Sequence, residues 1–283
     1  ARQTFVAEMV GEGDLSNAVA LNSASFNAAR MIGPAVAGLL IAAVGTGWVF
    51  LINSASFIAV LFSLSLLRVH ELHREVRGRT SRGSLLDGFR YVWKRPDLKA
   101  ILLMIFLIGT FGLNFPIFIS TMSVSVFHIG AGHFGLLSST MAIGSVTGAL
   151  LSARRAKPYI SLLVGASLFF GISCLLAALM PNYWLFGAVL VAIGACAQTF
   201  MTSSNSLVQL ATERAMRGRV VAIVMALALG GTPLGAPIVG WVADTFGPRW
   251  ALGVGAAAGI SSALVGAYHL RKRAKAPTPA IEA

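Results

Sequence analysis

Apolar residues run almost unbroken through eight stretches of this chain, roughly 18–44, 47–67, 98–125, 134–153, 159–180, 183–207, 220–243 and 250–270. At 1.5 Å per residue each can cross a hydrocarbon layer about 30 Å thick, so each predicts a transmembrane helix. None holds an acidic residue away from its ends, and only Arg30 puts a full charge deep inside one. Gly45-Thr46-Gly47 turns the first two spans into an antiparallel hairpin, whereas the polar segment Arg68 to Lys99 separates that pair from six closely spaced spans. Within this segment Ser84-Leu85-Leu86-Asp87 reads as a capping box. Leu85, Leu86, Phe89, Val92 and Trp93 follow at helical spacing, with Arg90, Lys94 and Arg95 beside them, until Pro96. That pattern predicts a short amphipathic basic helix at a membrane surface. The chain therefore divides into 1–67, a basic loop 68–97, a six-span region 98–275 and a tail 276–283.

Composition agrees with the pattern. Hydrophobic residues make up 56% and charged residues 11%, where a soluble domain carries about 25% charged. The net charge of +12 would suit nucleic acid if the charges clustered on one folded face. Instead 20 of the 22 Lys and Arg fall in the even-numbered loops and the two ends, leaving Arg249 on the other side and Arg30 within a span. The positive-inside rule accounts for this arrangement, placing both ends and residues 68–99 in the cytoplasm and excluding nucleic acid as the partner. Cys174 and Cys196 both lie mid-span and imply no disulfide framework. No Lys follows a Gly, so there is no nucleotide-binding phosphate loop. No Gly-x-Ser-x-Gly, His-Glu-x-x-His or clustered acids suggest an enzyme, and the scattered His and Cys imply neither a metal nor another cofactor.

An internal repeat sharpens the reading. A shift of 202 residues lays Gly33, Gly38, Gly45 and Trp48 on Gly235, Gly240, Gly247 and Trp250. Repeats on this scale mark secondary transporters, and an interval of six spans makes the repeating unit six helices. Eight spans would then be two helices of an incomplete first bundle and a complete second one, with four more expected ahead of them. The stretches Asp14-Leu15-Ser16-Asn17-Ala18, Ala29-Arg30-Met31-Ile32-Gly33-Pro34-Ala35-Val36-Ala37-Gly38 and Gly47-Trp48-Val49-Phe50-Leu51-Ile52-Asn53 resemble the major facilitator superfamily around its fifth and sixth helices. Gln209, Arg217-Gly218-Arg219-Val220 and Gly240-Trp241-Val242-Ala243-Asp244 resemble its tenth and eleventh. The likeness is to the branch holding the enterobactin exporter and related efflux proteins. Two positions depart from the family pattern: Ala37 precedes Gly38 where paired glycines are usual, and Ser152 stands where the family has Asp.

Several residues are candidates for the working parts. A central Arg costs roughly 2.5–3.5 kcal/mol in a bilayer, so Arg30 calls for a partner or a wet cavity. Ser23, Asn27 and Arg30 share one helical stripe, as do Gln198, Thr202 and Asn205, with Met201 adjacent. Asn114 lies between Phe111 and Phe115, ahead of the helix-bending Pro116. Amides among Phe and Met suit a cavity for amphipathic organic molecules, although each residue could equally serve interhelical hydrogen bonding. Gly33-Pro34 predicts a kink, and Gly38, Gly144, Gly148, Gly235 and Gly240 suit close helix packing. Arg217 and Arg219 occupy a cytoplasmic loop. His128 and His133 fall in an outside loop.

Together these features predict an all-helical, multi-pass transporter of a bacterial inner membrane. It would export small amphipathic molecules, siderophores or drugs, by alternating access with proton coupling. A lysolipid or lipid flippase of the same fold and a non-transporting membrane scaffold or remnant are the alternatives.

Overall fold

The computed structural model describes residues 43–66, 85–153, 158–213 and 216–275, with isolated positions between 21 and 40. Among these residues every regular element is helical. The helices are α1 (Thr46–Ser65), α2 (Leu85–Lys94), α3 (Pro96–Leu107), α4 (Phe115–Thr121), α5 (Ala131–Ala153), α6 (Ile160–Leu179), α7 (Tyr183–Ala211), α8 (Arg217–Gly230), α9 (Thr232–Phe246) and α10 (Pro248–Lys275). Seven runs among the described residues are long and apolar enough to cross a membrane: Gly47–Ser65, Pro96–Val126, His133–Ser152, Ile160–Leu179, Tyr183–Ala211, Arg217–Phe246 and Pro248–Arg273. The first predicted span, 18–44, lies mostly outside the described residues, as do Asn27, Arg30, Gly33, Pro34 and Gly38.

Two compact units divide the chain, Ala1–Gly83 with Gly130–Ser139, and Ser84–Ile129 with Thr140–Ala283. In the first, α1 exposes Phe50, Phe57, Ile58, Leu61 and Phe62. Such a surface is stable only against lipid or other apolar helices.

The second unit shows how a bundle coheres where lipid is as apolar as the side chains. Burying hydrocarbon gains little there, so close van der Waals contact must hold helices together. Small residues supply it. Gly171 of α6 faces the Ala256 carbonyl and Ile260 of α10, and a Cβ at Gly259 would meet the Gly171 backbone at 2.6 Å. Gly255 lies against Phe118 and the Cys174 sulfur. Gly144 and Gly148 of α5 rest on the Val191 and Ala195 carbonyls of α7, and Gly194 answers them from α7 against Met141. The small-residue spacing at Gly144 and Gly148 thus marks a seam where two backbones touch. Larger side chains fill the interior: Leu98, Met104, Ile105, Ile108, Leu163, Phe200, Val208, Val220 and Val224 form one buried cluster.

Repeat and backbone also correspond. Gly45 (φ 83°, ψ 162°) and Gly247 (φ 101°, ψ 162°) adopt the same conformation just before a helix, at positions matched by the 202-residue shift. Only glycine occupies that region without strain.

Two predicted spans are interrupted. Span 98–125 breaks after α3: a π-helical turn covers Ile108–Gly112, and Asn114 leads into α4, where Pro116 sits in the first turn. Span 220–243 breaks at Gly231, between α8 and α9, with Pro233 in the first turn of α9 and Pro237 inside it. Pro and paired glycines are the usual causes of such breaks. Gly230-Gly231-Thr232-Pro233 therefore carried the signal in the sequence, although one continuous helix was expected there.

Candidate transport site on two broken helices

The two interruptions meet. A Cβ at Gly109 would come within 3.0 Å of the Leu227 carbonyl, and one at Gly231 within 2.5 Å of the Thr110 hydroxyl. Gly235 abuts the Thr110 carbonyl itself. The Thr232 hydroxyl donates to the Gly109 carbonyl at 3.2 Å. Two glycines on one span and a Gly-Thr pair on the other thus let the backbones touch at their irregular points. Irregular backbone at membrane depth is tolerated where it is buried in protein or lines a cavity, and transporter sites are commonly built from such discontinuous helices.

Asn114 sits at this crossing with 1% of its surface exposed. Its amide nitrogen donates to the Thr110 carbonyl at 2.8 Å. Its Oδ1 is buried without a partner, and so is the Thr110 hydroxyl oxygen. Two unsatisfied buried oxygens four residues apart are costly unless something occupies them in another state. Phe111, in the π-helical turn, is half-buried. Phe115 turns edge-on to Phe118 and Phe170, ring centroids 6.4 and 6.3 Å away, so it packs inside the bundle.

A polar ladder runs along α7. The Gln198 amide donates to the Thr202 hydroxyl at 3.1 Å, and the Gln209 amide to Asn205 Oδ1 at 3.2 Å. All four side chains are half-buried. Met201 borders the ladder and packs against the buried cluster. Among the described residues no hydrogen bond joins Asn114 to Gln198 or Asn205. Gly240 has open space where a Cβ would go, unlike Gly144, Gly148 and Gly235.

At the far end of the ladder the Arg217 guanidinium donates to the Gln209 carbonyl at 3.1 Å, which ties the start of α8 to α7. Arg219 donates to the Met216 sulfur at 3.2 Å. Ser152, where the family pattern has Asp, donates back to the Gly148 carbonyl at 2.8 Å. Three features were not singled out from sequence: Thr110, the attachment of α2 through Tyr91 and Arg95 to Glu213, and a pair between His269 and Asp97 at 2.7 Å. The last joins α10 to the first turn of α3. Partners far apart in sequence, 172 residues for this pair, leave no local pattern to read.

The profile of the transmembrane secretion effector family matches residues 1–279. The chain belongs to that family. It is a branch of the major facilitator superfamily, as the sequence motifs implied, and its members are transporters rather than enzymes. Similar relatives include the multidrug efflux pump Tap of Mycolicibacterium fortuitum, 27% identical across 87% of this chain and 62% of that protein. The staphyloferrin A transporter of Staphylococcus aureus is 26% identical across 87% and 62%. The enterobactin exporter EntS of Shigella flexneri is 28% identical across 82% and 55%. The chain thus spans about three fifths of these curated relatives. A solved bacterial homologue of the human lysosomal transporter Spinster, inward-facing and unoccupied, shares the fold with a TM-score of 0.57 at 16% identity, over 96% of this chain and 71% of its own.

Proposed function

We propose that this chain belongs to a secondary active exporter of small amphipathic molecules, drugs or siderophores. The named relatives support export, and the chain's share of their length supports a twelve-helix whole. In that whole, residues 98–275 form the second bundle, 1–67 supply the last two helices of the first, and four further helices complete it. The observation that carries the reading is the crossing of two broken helices at Gly109–Asn114 and Gly231–Gly235, with unsatisfied oxygens on Thr110 and Asn114. Asn114, Gln198 and Asn205 provide directional polar contacts, and Phe111 and Met201 apolar surface, for a substrate that has both characters. Asn27 and Arg30 would face it from the first bundle. Alternating access would expose the site to each side in turn, driven by protons.

The test is uptake into inside-out vesicles containing the twelve-helix protein. Siderophores and cationic dyes are added separately, with and without an imposed pH gradient. Saturable accumulation that the gradient accelerates is expected. Asn114→Leu should raise KM about tenfold, the loss of roughly one substrate hydrogen bond. Absence of gradient-driven accumulation for every compound would refute the proposal, as would an Asn114→Leu transporter with unchanged KM refute the role given to Asn114.

The same reading places the protein in a bacterial cell membrane with residues 68–99 and the C-terminal tail in the cytoplasm. In a background of Cys174→Ala and Cys196→Ala, Ser81→Cys and His128→Cys should label from opposite faces. Labelling of Ser81→Cys by an impermeant reagent outside intact cells would reverse the topology.

A further inference from the structure

Helix α2 carries three longitudinal stripes, and one of them is an exposed row of large apolar side chains. Gly88, Tyr91, Val92 and Arg95 form the docked stripe. A Cβ at Gly88 would meet Arg219 Cβ and Ile223 Cδ1 at 3.1 Å, and Val92 is buried. The Tyr91 hydroxyl donates to Glu213 Oε1 and accepts from the Glu213 backbone N–H, both at 3.3 Å. Arg95 donates to the Ala211 carbonyl at 3.1 Å and lies 3.9 Å from the Glu213 carboxylate. These contacts fasten α2 to the link between α7 and α8, at the ends of two spans.

On the second stripe Leu86, Phe89 and Trp93, spaced i, i+3, i+7, are 74, 51 and 70% exposed. The third stripe holds Asp87, Arg90 and Lys94, all exposed. Lys99, one turn into α3, sets its ammonium 4.1 Å from the centre of the Trp93 ring. Apolar side chains and cations thus share one exposed surface.

Its height is fixed. Arg95 is extended and Pro96 opens α3, so α2 turns aside where a membrane span begins. Its docking partners Ala211 and Arg219 stand at the ends of two other spans. A helix held at that level and lined by Leu, Phe and Trp meets the boundary between acyl chains and headgroups. Trp favours that boundary, and exposed Trp48, Trp184 and Trp250 likewise occupy the first turns of spans.

We propose that this face of α2 binds anionic phospholipid headgroups, with Leu86, Phe89 and Trp93 inserted beneath them and Arg90, Lys94 and Lys99 contacting phosphate. Charge complementarity selects the occupant. Arg90 and Lys94 share α2 with one exposed acid, Asp87, and the acid nearest Lys99 on α3, Asp97, is already paired with His269, so a zwitterionic headgroup gains little where an anionic one gains from each cation. Because the opposite stripe grips the α7–α8 link, lipid bound here is connected to the broken span that contributes Gly231 and Gly235. The inference extends the proposed function without requiring it: binding can be read whether or not the protein exports anything.

The experiment uses the full-length protein with Trp93 as its one tryptophan among these residues, after Trp48→Phe, Trp184→Phe, Trp241→Phe and Trp250→Phe. Any tryptophan in the additional helices is replaced likewise. The protein is reconstituted symmetrically in phosphatidylcholine vesicles containing a fixed fraction of phosphatidylglycerol. Bromine is placed on the acyl chains of one lipid or the other, and quenching of Trp93 is compared. A basic residue near an anionic surface favours it by roughly fivefold at low salt. Brominated phosphatidylglycerol should therefore quench several-fold more strongly per molecule than brominated phosphatidylcholine. Arg90→Gln with Lys94→Gln should bring the two close to equality, and Arg90→Lys should preserve the difference. Equal quenching by both lipids in the parent protein would overturn the anionic preference. No quenching by either would overturn the lipid seat altogether, leaving the face to solvent or to protein.

Discussion

Gly144→Leu should yield almost no folded protein. The Cα of Gly144 lies against the Val191 carbonyl of α7, and Gly194 returns the contact from α7 to the Met141 carbonyl. A side chain at either position would meet fixed backbone rather than a flexible tip. The helices must then separate along the seam, losing the close contact that stands in for a hydrophobic driving force within lipid. Even Gly144→Ala should cost about 1–3 kcal/mol, the usual range for overpacking, and a bulkier residue more. Thermal unfolding in mild detergent, followed by size-exclusion, provides the measurement. Gly144→Ala should melt several degrees below the parent, and Gly144→Leu should elute as aggregate. Gly165→Leu is the control, because Gly165 has nothing within 4 Å of its missing Cβ. Parent-like melting of Gly144→Leu would mean that α5 and α7 do not touch there.

The second large effect is expected at Arg30. Its place in a span with no acid at similar depth, on a stripe with Ser23 and Asn27, calls for a role through charge. In the proposed twelve-helix protein, Arg30→Lys should keep part of the transport. Arg30→Met, similar in length but uncharged, should lose at least about tenfold more, with normal insertion in the membrane. Efflux at the parent rate by Arg30→Met would end that assignment. The described spans carry acids only in their end turns, Asp97 and Asp244, and Asp97 already faces His269. If the proposed exporter is proton-driven, its coupling carboxylate is accordingly expected outside these spans, in the further helices proposed for the first bundle. Loss of gradient dependence in Asp244→Asn would relocate it to this chain.

The seven described spans were legible because membrane insertion writes itself into local composition: twenty apolar residues in succession need no tertiary information to be recognised. The amphipathic helix was legible for a similar reason, and Pro96 proved to begin the next helix as well as to end the run. Gly144 and Gly148 were readable as a small-residue pair, yet their partner Gly194 was not, since contact across a seam depends on the register of two helices. The site was only half readable. Asn114 announced itself as an amide among phenylalanines, but Thr110 looked like an ordinary span residue. Its importance arises from the glycines of a distant span that close upon it. The ladder on α7 needed only one helix, so the spacing of Gln198, Thr202 and Asn205 revealed it, and Gln209 extends it by one more turn.

The contact between Thr110 and the Gly231–Gly235 notch also has the geometry of a fulcrum. With its hydroxyl against Gly231 and its carbonyl against Gly235, Thr110 opposes sliding of one span along the other more than it opposes tilt about the contact. Fourteen residues separate Gly231 from Arg217, an arm of about 21 Å. A tilt of about 10° at the notch would swing the far end of α8 by about 4 Å, given that arm length. The end that swings farthest is the one to which α2 is fastened. A small local change at either end of this arm is therefore geared to the other: outward it becomes displacement, and inward it becomes leverage.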